Sequence, residues 1–386
     1  MTDDYSEQCH DFIFNKLLKK WAEFGIDHEY GYSAESLTKK WQLNPVGRIR
    51  LLTQCRQLYT FSHAYLLTKE TKWLSILSPL YKFIIDYYAI EIEGNNSNQN
   101  ELRWRFSLDE QLQPQDNTTD AYAMAFILLS FSFYYRATND GTALTYIKKT
   151  DNFLNTHMTA KNGGFYEAYP INTETLRRQN PHMHLLEGYI AAFDATHNPH
   201  YKTQIIKLLQ LAKDRFYEPK SRSLLEFFDN DWQPDTKIGN QTEPGHHFEW
   251  VWLLHQAYRI HQDQDYLKIA EQLWDKACHY GFDSQGGIYN QIDAYSGSCI
   301  DQEKRIWPIT EYLKAACVHL ENTPSKTIKI NQTLKFVFNK YLQNDGGWNE
   351  YLDKNNLPKN YPLPGTTSYH IFLGLTEVLD WQNTIS

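Results

Sequence analysis

Cysteine, basic charge and long apolar runs are all scarce in this chain, and each shortage removes a class of protein. The five cysteines, Cys9, Cys55, Cys278, Cys299 and Cys317, form no CxxC pair and no metal-ligand spacing. An odd, scattered set suits a reducing compartment. The 386 residues carry a formal net charge of -8, with a pI near 6.0. No basic face of the kind a nucleic-acid partner requires is evident. No stretch approaches the roughly 20 apolar residues that span a bilayer, and the opening MTDDYSEQCHDF lacks the apolar run of a signal peptide. These absences predict a soluble, cytoplasmic protein with neither a membrane nor a nucleic-acid partner. They leave a homo-oligomer open. Regular βαβ alternation is missing too, and β-branched runs are few, which argues against a parallel sheet.

What the chain does have is aromatic residues and an internal repeat. Aromatics make up 15% of it, with 27 Tyr and 11 Trp. Most such rings pack cores, but their polar tips also suit a wet cavity. A Gly-Gly-aromatic turn recurs as GGFYE at 163–167, GGIYN at 286–290 and GGWNE at 346–350. Weaker relatives are EYGYSAE from Glu29, ELRWRFS from Glu101 and SLLEFFD from Ser223, and the six points lie about 60 to 73 residues apart. That period holds two helices and their connections.

Apolar residues between these points recur at three- and four-residue spacing. They predict helices over 5–23, 48–67, 71–90, 118–136, 141–158, 181–196, 200–217, 244–261, 264–279, 304–320, 325–341 and 367–382. Twelve helices in six pairs make an all-α chain. The period is longer than that of open helical solenoids, so the pairs are expected to close into a double ring, with short β-hairpins in the loops. AYAMAFILLSF, which opens the helix near Tyr122, fits an inner position. The polar stretch 93–101 reads as a long loop, so the whole of 1–386 is expected to be one domain.

Three histidine motifs fall just after loops, where inner helices should start: NPHMHLLEGY with His182 and His184, EPGHHFEWVW with His246 and His247, and TTSYHIFLG with His370. His184 and His246 are 62 residues apart, and His246 and His370 are 124 apart, twice that interval. The skipped position is Pro308, and one interval before His184 is Tyr122. Equal phase predicts equal height on the ring, so these side chains should meet at one mouth. Histidine is the proton carrier suited to neutral pH. His182 and His247 point to other helix faces and read as supporting or structural. Arg56, on the second helix, can hold a carboxylate or a substrate oxygen. Asn180 lies one turn before His184, Glu249 one turn after His246, and Glu311 one turn after Trp307. A zinc site is the rival reading of clustered histidines. His182 and His184 are two residues apart, however, and do not share a helix face. His246 and Glu249 alone are compatible with a metal, and no HExxH is present. No metal and no cofactor is expected.

At these residues the chain resembles the N-acylglucosamine 2-epimerase superfamily, through QCRQLY, NPHMHLLEG, EPGHHFEW, KRIWPITE and SYH in order, together with the Gly-Gly-aromatic turns. The resemblance implies an (α/α)6 barrel with His246 and His370 as acid/base residues. It implies that Arg56, Asn180, His184 and Glu249 hold the sugar, with Trp307 and Glu311 beside them. NPHMHLLE followed by EPGHHFEW is most similar to the D-mannose isomerase branch, which implies conversion of D-mannose to D-fructose through a cis-enediol. A mannose 2-epimerase, or another N-acylglucosamine- or cellobiose-type 2-epimerase, is the alternative. A glycoside hydrolase on the same ring would need two flanking carboxylates, and the phased residues are histidines. One departure is that the family's Arg before the GH motif is absent. Lys237 is the only cation in DTKIGNQTEPGH, which argues against a phosphate or sulfonate site there. The segment 169–180, with Arg177 and Arg178, is long enough to close over a monosaccharide.

Overall fold

The structure is a computed structural model that describes residues 5–93 and 101–385. Residues 94–100, within the polar stretch read as a loop, lie outside the described residues, as do residues 1–4 and 386. Among the described residues twelve helices follow one another: α1 (6–24, with a π-helical middle at Asp11–Leu17), α2 (Leu51–Thr68), α3 (71–88), α4 (Ala121–Thr138), α5 (142–158), α6 (Gln179–Thr196), α7 (199–216), α8 (Pro244–Ile260), α9 (Gln264–Tyr280), α10 (Ile306–His319), α11 (Pro324–Lys340) and α12 (Thr367–Ile385). Each coincides with an expected segment, displaced by a few residues at its ends.

The even-numbered helices form an inner ring. Each packs on the next, and α12 returns to α2. The odd-numbered helices pack outside them, with α1 against α12. Local sequence explains the sorting. In α10 every residue from Ile306 to Cys317 is buried, as expected of a helix surrounded by protein. In α11 the buried residues reduce to Lys326, Ile330, Leu334 and Val337, a single stripe. The three apolar residues of that stripe contribute roughly 1.5–3 kcal/mol each by leaving water. Pro at the first turn of α7, α8 and α11 starts these helices where the lost N–H has no partner anyway. This is an (α/α)6 barrel.

The two ends of the ring differ. Inner helices pass to outer ones through short turns such as 69–70 and 197–198, where Lys69 and His197 take left-handed caps. Outer helices return to inner ones through long loops, so every long loop gathers at the N-terminal mouth of the inner ring. The Gly-Gly-aromatic turns close small bridges there, Thr159 to Phe165, Phe282 to Ile288 and Leu342 to Trp348. A second pattern joins neighbouring loops. The two-residue strand entering each inner helix pairs antiparallel with the next loop: 49–50 with 107–108, 119–120 with 168–169, 177–178 with 227–228, 241–242 with 292–293, and 304–305 with 351–352. The pairing of 363–364 with 36–37 closes this collar. Gln57 Nε2 fastens the same seam by donating to Gly365 O (2.6 Å) and Ser368 Oγ (2.7 Å). No helix among the described residues is long and apolar enough to cross a membrane.

Candidate active site

The collar fixes where each inner helix begins, and so the depth of every polar residue in the mouth. The expectation of equal height needs correction. Tyr122, Asn180 and Trp307 are second in their helices, His246 third and His370 fourth, whereas Arg56, His184, Glu249 and Glu311 are all sixth. At 1.5 Å per residue, His184 lies about 4.5 Å deeper than His246. Loop lengths vary between repeats, so a constant sequence interval does not preserve depth. The result is two tiers: His246, Trp307, His370, Asn180 and Tyr122 above, and Arg56, His184, Glu249 and Glu311 below.

Contacts link the expected residues within and between the tiers. Arg56 Nη2 donates to Tyr122 Oη at 2.8 Å and Nη1 to Thr366 O at 3.2 Å, while the guanidinium lies over Phe126 and Tyr369. The Tyr122 and His184 rings meet at 4.9 Å. His184 Nδ1 is 3.0 Å from Glu187 Oε2, and its Nε2 is 3.8 Å from Glu249 Oε1. In the upper tier the indole of Trp307 stands between the two histidines, with ring centroids 5.0 Å from His246 and 5.8 Å from His370. Gly245 makes room for it, since a Cβ there would sit 2.5 Å from the indole. Asn180 Nδ2 lies 3.1 Å from His246 Nε2, leaving Oδ1 without a partner. Turned by 180°, the amide presents Oδ1 to a protonated Nε2 and satisfies both groups.

The two upper histidines differ electrically. His246 Nδ1 lies 3.0 Å from Glu226 Oε1. Burial opposes its charge, but Glu226 and Glu243 outweigh burial and hold its pKa up at about 10. His370 Nδ1 lies 2.8 Å from Glu311 Oε1, yet its pKa is well below the usual value. Burial dominates, and Arg56 and Lys314 add to it, because Lys314 Nζ, 2.8 Å from Glu311 Oε2, offsets that carboxylate. One histidine is therefore an imidazolium and the other a neutral base, on either side of one indole. Below them, burial takes His184 down to about 4. Glu187 is held below the usual range despite its burial, because it accepts from His184 and from Tyr369 Oη (2.5 Å). Glu249 is raised well above it by burial and by Glu311.

Several groups carry roles the sequence reading did not assign. Glu226, Glu187 and Lys314 were not singled out. A signal for the first existed: the turn motifs end on Glu in GGFYE and GGWNE, and the weaker copies carry Glu35 and Glu226. Three of these carboxylates hold an arginine that enters an inner helix, Glu35 with Arg50, Glu167 with Arg178 and Glu350 with Arg305. Glu226 holds His246 instead. His182 and His247 are staples. Each has Nδ1 on the carbonyl four residues back, Arg178 O and Glu243 O, and each accepts at Nε2 from a loop N–H, Phe165 or Leu224. Gly164, at φ +67, lies so close to His182 that a Cβ would stand 2.6 Å from Nε2. Arg177 and Arg178 are not free to close on a ligand. Arg177 is buried, donates to Gly163 O and Phe165 O, and stacks 3.5 Å over Trp232, while Glu167 engages Arg178. Lys237 is exposed. His184, Glu187 and Glu249 are close enough to suggest a cation site, but the two carboxylates face different nitrogens of one ring: His184 Nδ1 is hydrogen-bonded to Glu187, and Glu249 Oε1 stands 3.8 Å from Nε2.

The profile of the family described as N-acylglucosamine 2-epimerase (GlcNAc 2-epimerase) matches residues 31–374. The D-mannose isomerase of Marinomonas mediterranea is 30% identical over 287 residues, 68% of this chain and 72% of that protein. The cellobiose 2-epimerase of Bacteroides fragilis is 25% identical over 325 residues, 80% of each. A crystal structure of D-mannose isomerase superposes with a TM-score of 0.84 over 97% of each chain, at 24% identity.

Proposed function

Since the chain belongs to the N-acylglucosamine 2-epimerase family, a family of sugar epimerases and isomerases, we propose that it converts D-mannose to D-fructose. The observation that carries this reading is the unequal histidine pair around Trp307. The C2 proton of an open-chain aldose is acidified by the C1 carbonyl. A neutral imidazole at His370 removes it, giving a cis-enediol, and returns it to C1 on the same face. One neutral base suffices for that shift, and only one of the two histidines is neutral at physiological pH. The His246 imidazolium, fixed by Glu226, donates to the oxygen on which charge develops. Arg56, Asn180 and His184 hold the sugar, with Glu249 and Glu311 beside them.

The motif pair NPHMHLLE and EPGHHFEW supports the mannose isomerase branch, as does the 30% identical relative. One observation also favours a second reading. An imidazolium facing a neutral base can deliver a proton to the opposite face of C2, which would make the enzyme a mannose 2-epimerase producing glucose. Product analysis decides: fructose appearing first from mannose supports the isomerase, and glucose appearing first overturns it.

A monosaccharide substrate is part of this proposal. Arg56, His184, His246, Glu249, Glu311 and His370 are each 7% exposed or less, so the polar groups that would hold the reacting end lie deep in the mouth. Equal turnover of cellobiose and mannose would refute that. No step above uses a metal, so turnover should survive exhaustive chelation. Loss that is recovered on adding a divalent ion would refute it.

A further inference from the structure

Isomerisation moves two protons. One passes from C2 to C1, and the other passes between the hydroxyl oxygens, leaving O2 and reaching O1. His370 accounts for the first. The second needs a group that can give a proton to one oxygen and take one from its neighbour within the same turnover. His246 is poorly suited, because Glu226 and Glu243 both favour its charged form. It stabilises charge better than it exchanges protons.

Three carboxyls stand in or just below the lower tier: Glu187, Glu249 and Glu311. Glu187 is matched by two donors, His184 Nδ1 at 3.0 Å and Tyr369 Oη at 2.5 Å. Glu311 forms an ion pair with the Lys314 ammonium at 2.8 Å, short of hydrogen-bond geometry, and lies 2.8 Å from His370 Nδ1. Glu249 has no cation of its own. Its Oε1 is buried without a hydrogen-bond partner, and the side chain is 2% exposed. Its neighbour is informative. His184 uses Nδ1–H to serve Glu187, so the Nε2 facing Glu249 Oε1 at 3.8 Å is a bare lone pair. An ionised carboxylate there would face an acceptor, and a buried unpaired charge is costly. A protonated carboxyl faces it with a donor. Lys314 sits between these acids and is already engaged by Glu311.

We propose that Glu249 is a neutral carboxylic acid in the resting enzyme and that it relays the hydroxyl proton between O1 and O2. This rests on the isomerase reading above. In the first half, His370 takes the proton from C2. The C–H pair forms the C1=C2 bond, and the carbonyl pair moves to O1, which takes the proton from Glu249. The products are the enediol, a Glu249 carboxylate and a His370 imidazolium. In the second half, the carboxylate takes the proton from O2–H, the C2=O2 bond forms, and the C1=C2 pair takes the proton from His370 at C1. Both residues return to their starting states. The buried partners Glu187, Glu311, Lys314, His184 and His246 surround the relay and confine the proton to it.

Glu249→Gln tests this, because the amide keeps the shape and can donate to His184 Nε2 but cannot give up and regain a proton. With mannose in heavy water, ketose formation should fall about 10²- to 10⁴-fold while KM stays near the wild-type value. Because Glu249 protonates O1 in the first half and takes the O2 proton in the second, deuterium entry at C2 of recovered mannose should fall as well. Ketose formation and exchange both near the wild-type rate, or a rise in KM with kcat intact, would overturn the relay. An independent readout needs no substrate. The infrared difference between wild type and Glu249→Gln at neutral pH should contain the carbonyl band of a protonated carboxylic acid, and its absence would overturn the inference without touching the isomerase reading. Conversely, glucose as first product or persisting C2 exchange in His370→Ala would overturn that reading and leave the band in place.

Discussion

Histidines stand toward both mouths of this ring, buried at the N-terminal one and half-buried toward the other, and only at the first do carboxylates stand behind them. At the N-terminal mouth His246, His370 and His184 each have a carboxylate on one ring nitrogen: Glu226, Glu311 and Glu187. Toward the opposite mouth the partners are neutral. His63 Nδ1 meets Tyr59 Oη at 3.0 Å, and His255 Nε2 meets His319 Nδ1 at 3.1 Å. Burial there takes His63 to about 3 and His255 to about 4, leaving both uncharged. Burial alone therefore silences a histidine. A carboxylate behind the ring, and the cations around that carboxylate, decide whether it becomes an acid, as His246 does, or remains a base with a fixed orientation, as His370 does. The staples His182 and His247 show the same rule inside the active mouth. Backbone partners leave them neutral, at about 3 and 4.

The sharpest test of this contrast is His370→Ala, which removes the neutral histidine of the upper pair, with Glu311 behind it. Turnover should fall about 10³- to 10⁴-fold while the thermal midpoint changes little. Near-normal turnover in the folded variant would show that the carboxylate partner does not mark the working histidine.

Glu226→Gln asks whether the carboxylate, rather than the position, keeps His246 charged. Turnover should drop on the order of 10²-fold. The alkaline limb of kcat should also move. In the wild type the rate should fall as pH rises through about 10, where His246 loses its proton; in the variant it should fall at lower pH. Stability follows the same sign. A raised folded pKa adds stability that is complete below the ordinary value of 6.5 and lost as pH rises toward about 10, so the variant should show a flatter stability profile across that window. An unmoved alkaline limb would remove Glu226 from the account.

His182→Ala and His247→Ala should act on folding instead. Each leaves a buried loop N–H unpaired, at a cost of about 1–3 kcal/mol in denaturant melts, while kcat per folded molecule is kept. A large kcat loss without destabilisation would mean that a staple touches the chemistry. The smallest effect belongs to the far mouth. His255→Gln should cost about 1 kcal/mol or less and leave kcat and its pH profile unchanged. A shifted profile would connect the two ends of the ring.

The repeat of Gly-Gly-aromatic turns and the three- to four-residue apolar spacing determined most of the architecture, because both are local. A helix needs only its own periodicity to be recognised, and Gly at 163 and 346 reports a positive φ regardless of what packs on it. The placement of Arg56, Asn180, His184, His246, Glu249, Trp307, Glu311 and His370 at the starts of inner helices was legible for the same reason. Depth, partnership and charge were not. His184 and His246 share a sequence phase but sit in different tiers, because the collar strands set where α6 and α8 begin. The acid–base contrast between His246 and His370 depends on Glu226, 20 residues from His246 in sequence, and on Lys314, which lowers His370 and pairs with the Glu311 behind it. Those carboxylates and that ammonium come together only when the ring closes, since electrostatic coupling in a buried site depends on distance and on exclusion of water, and neither is written in the spacing of residues along the chain.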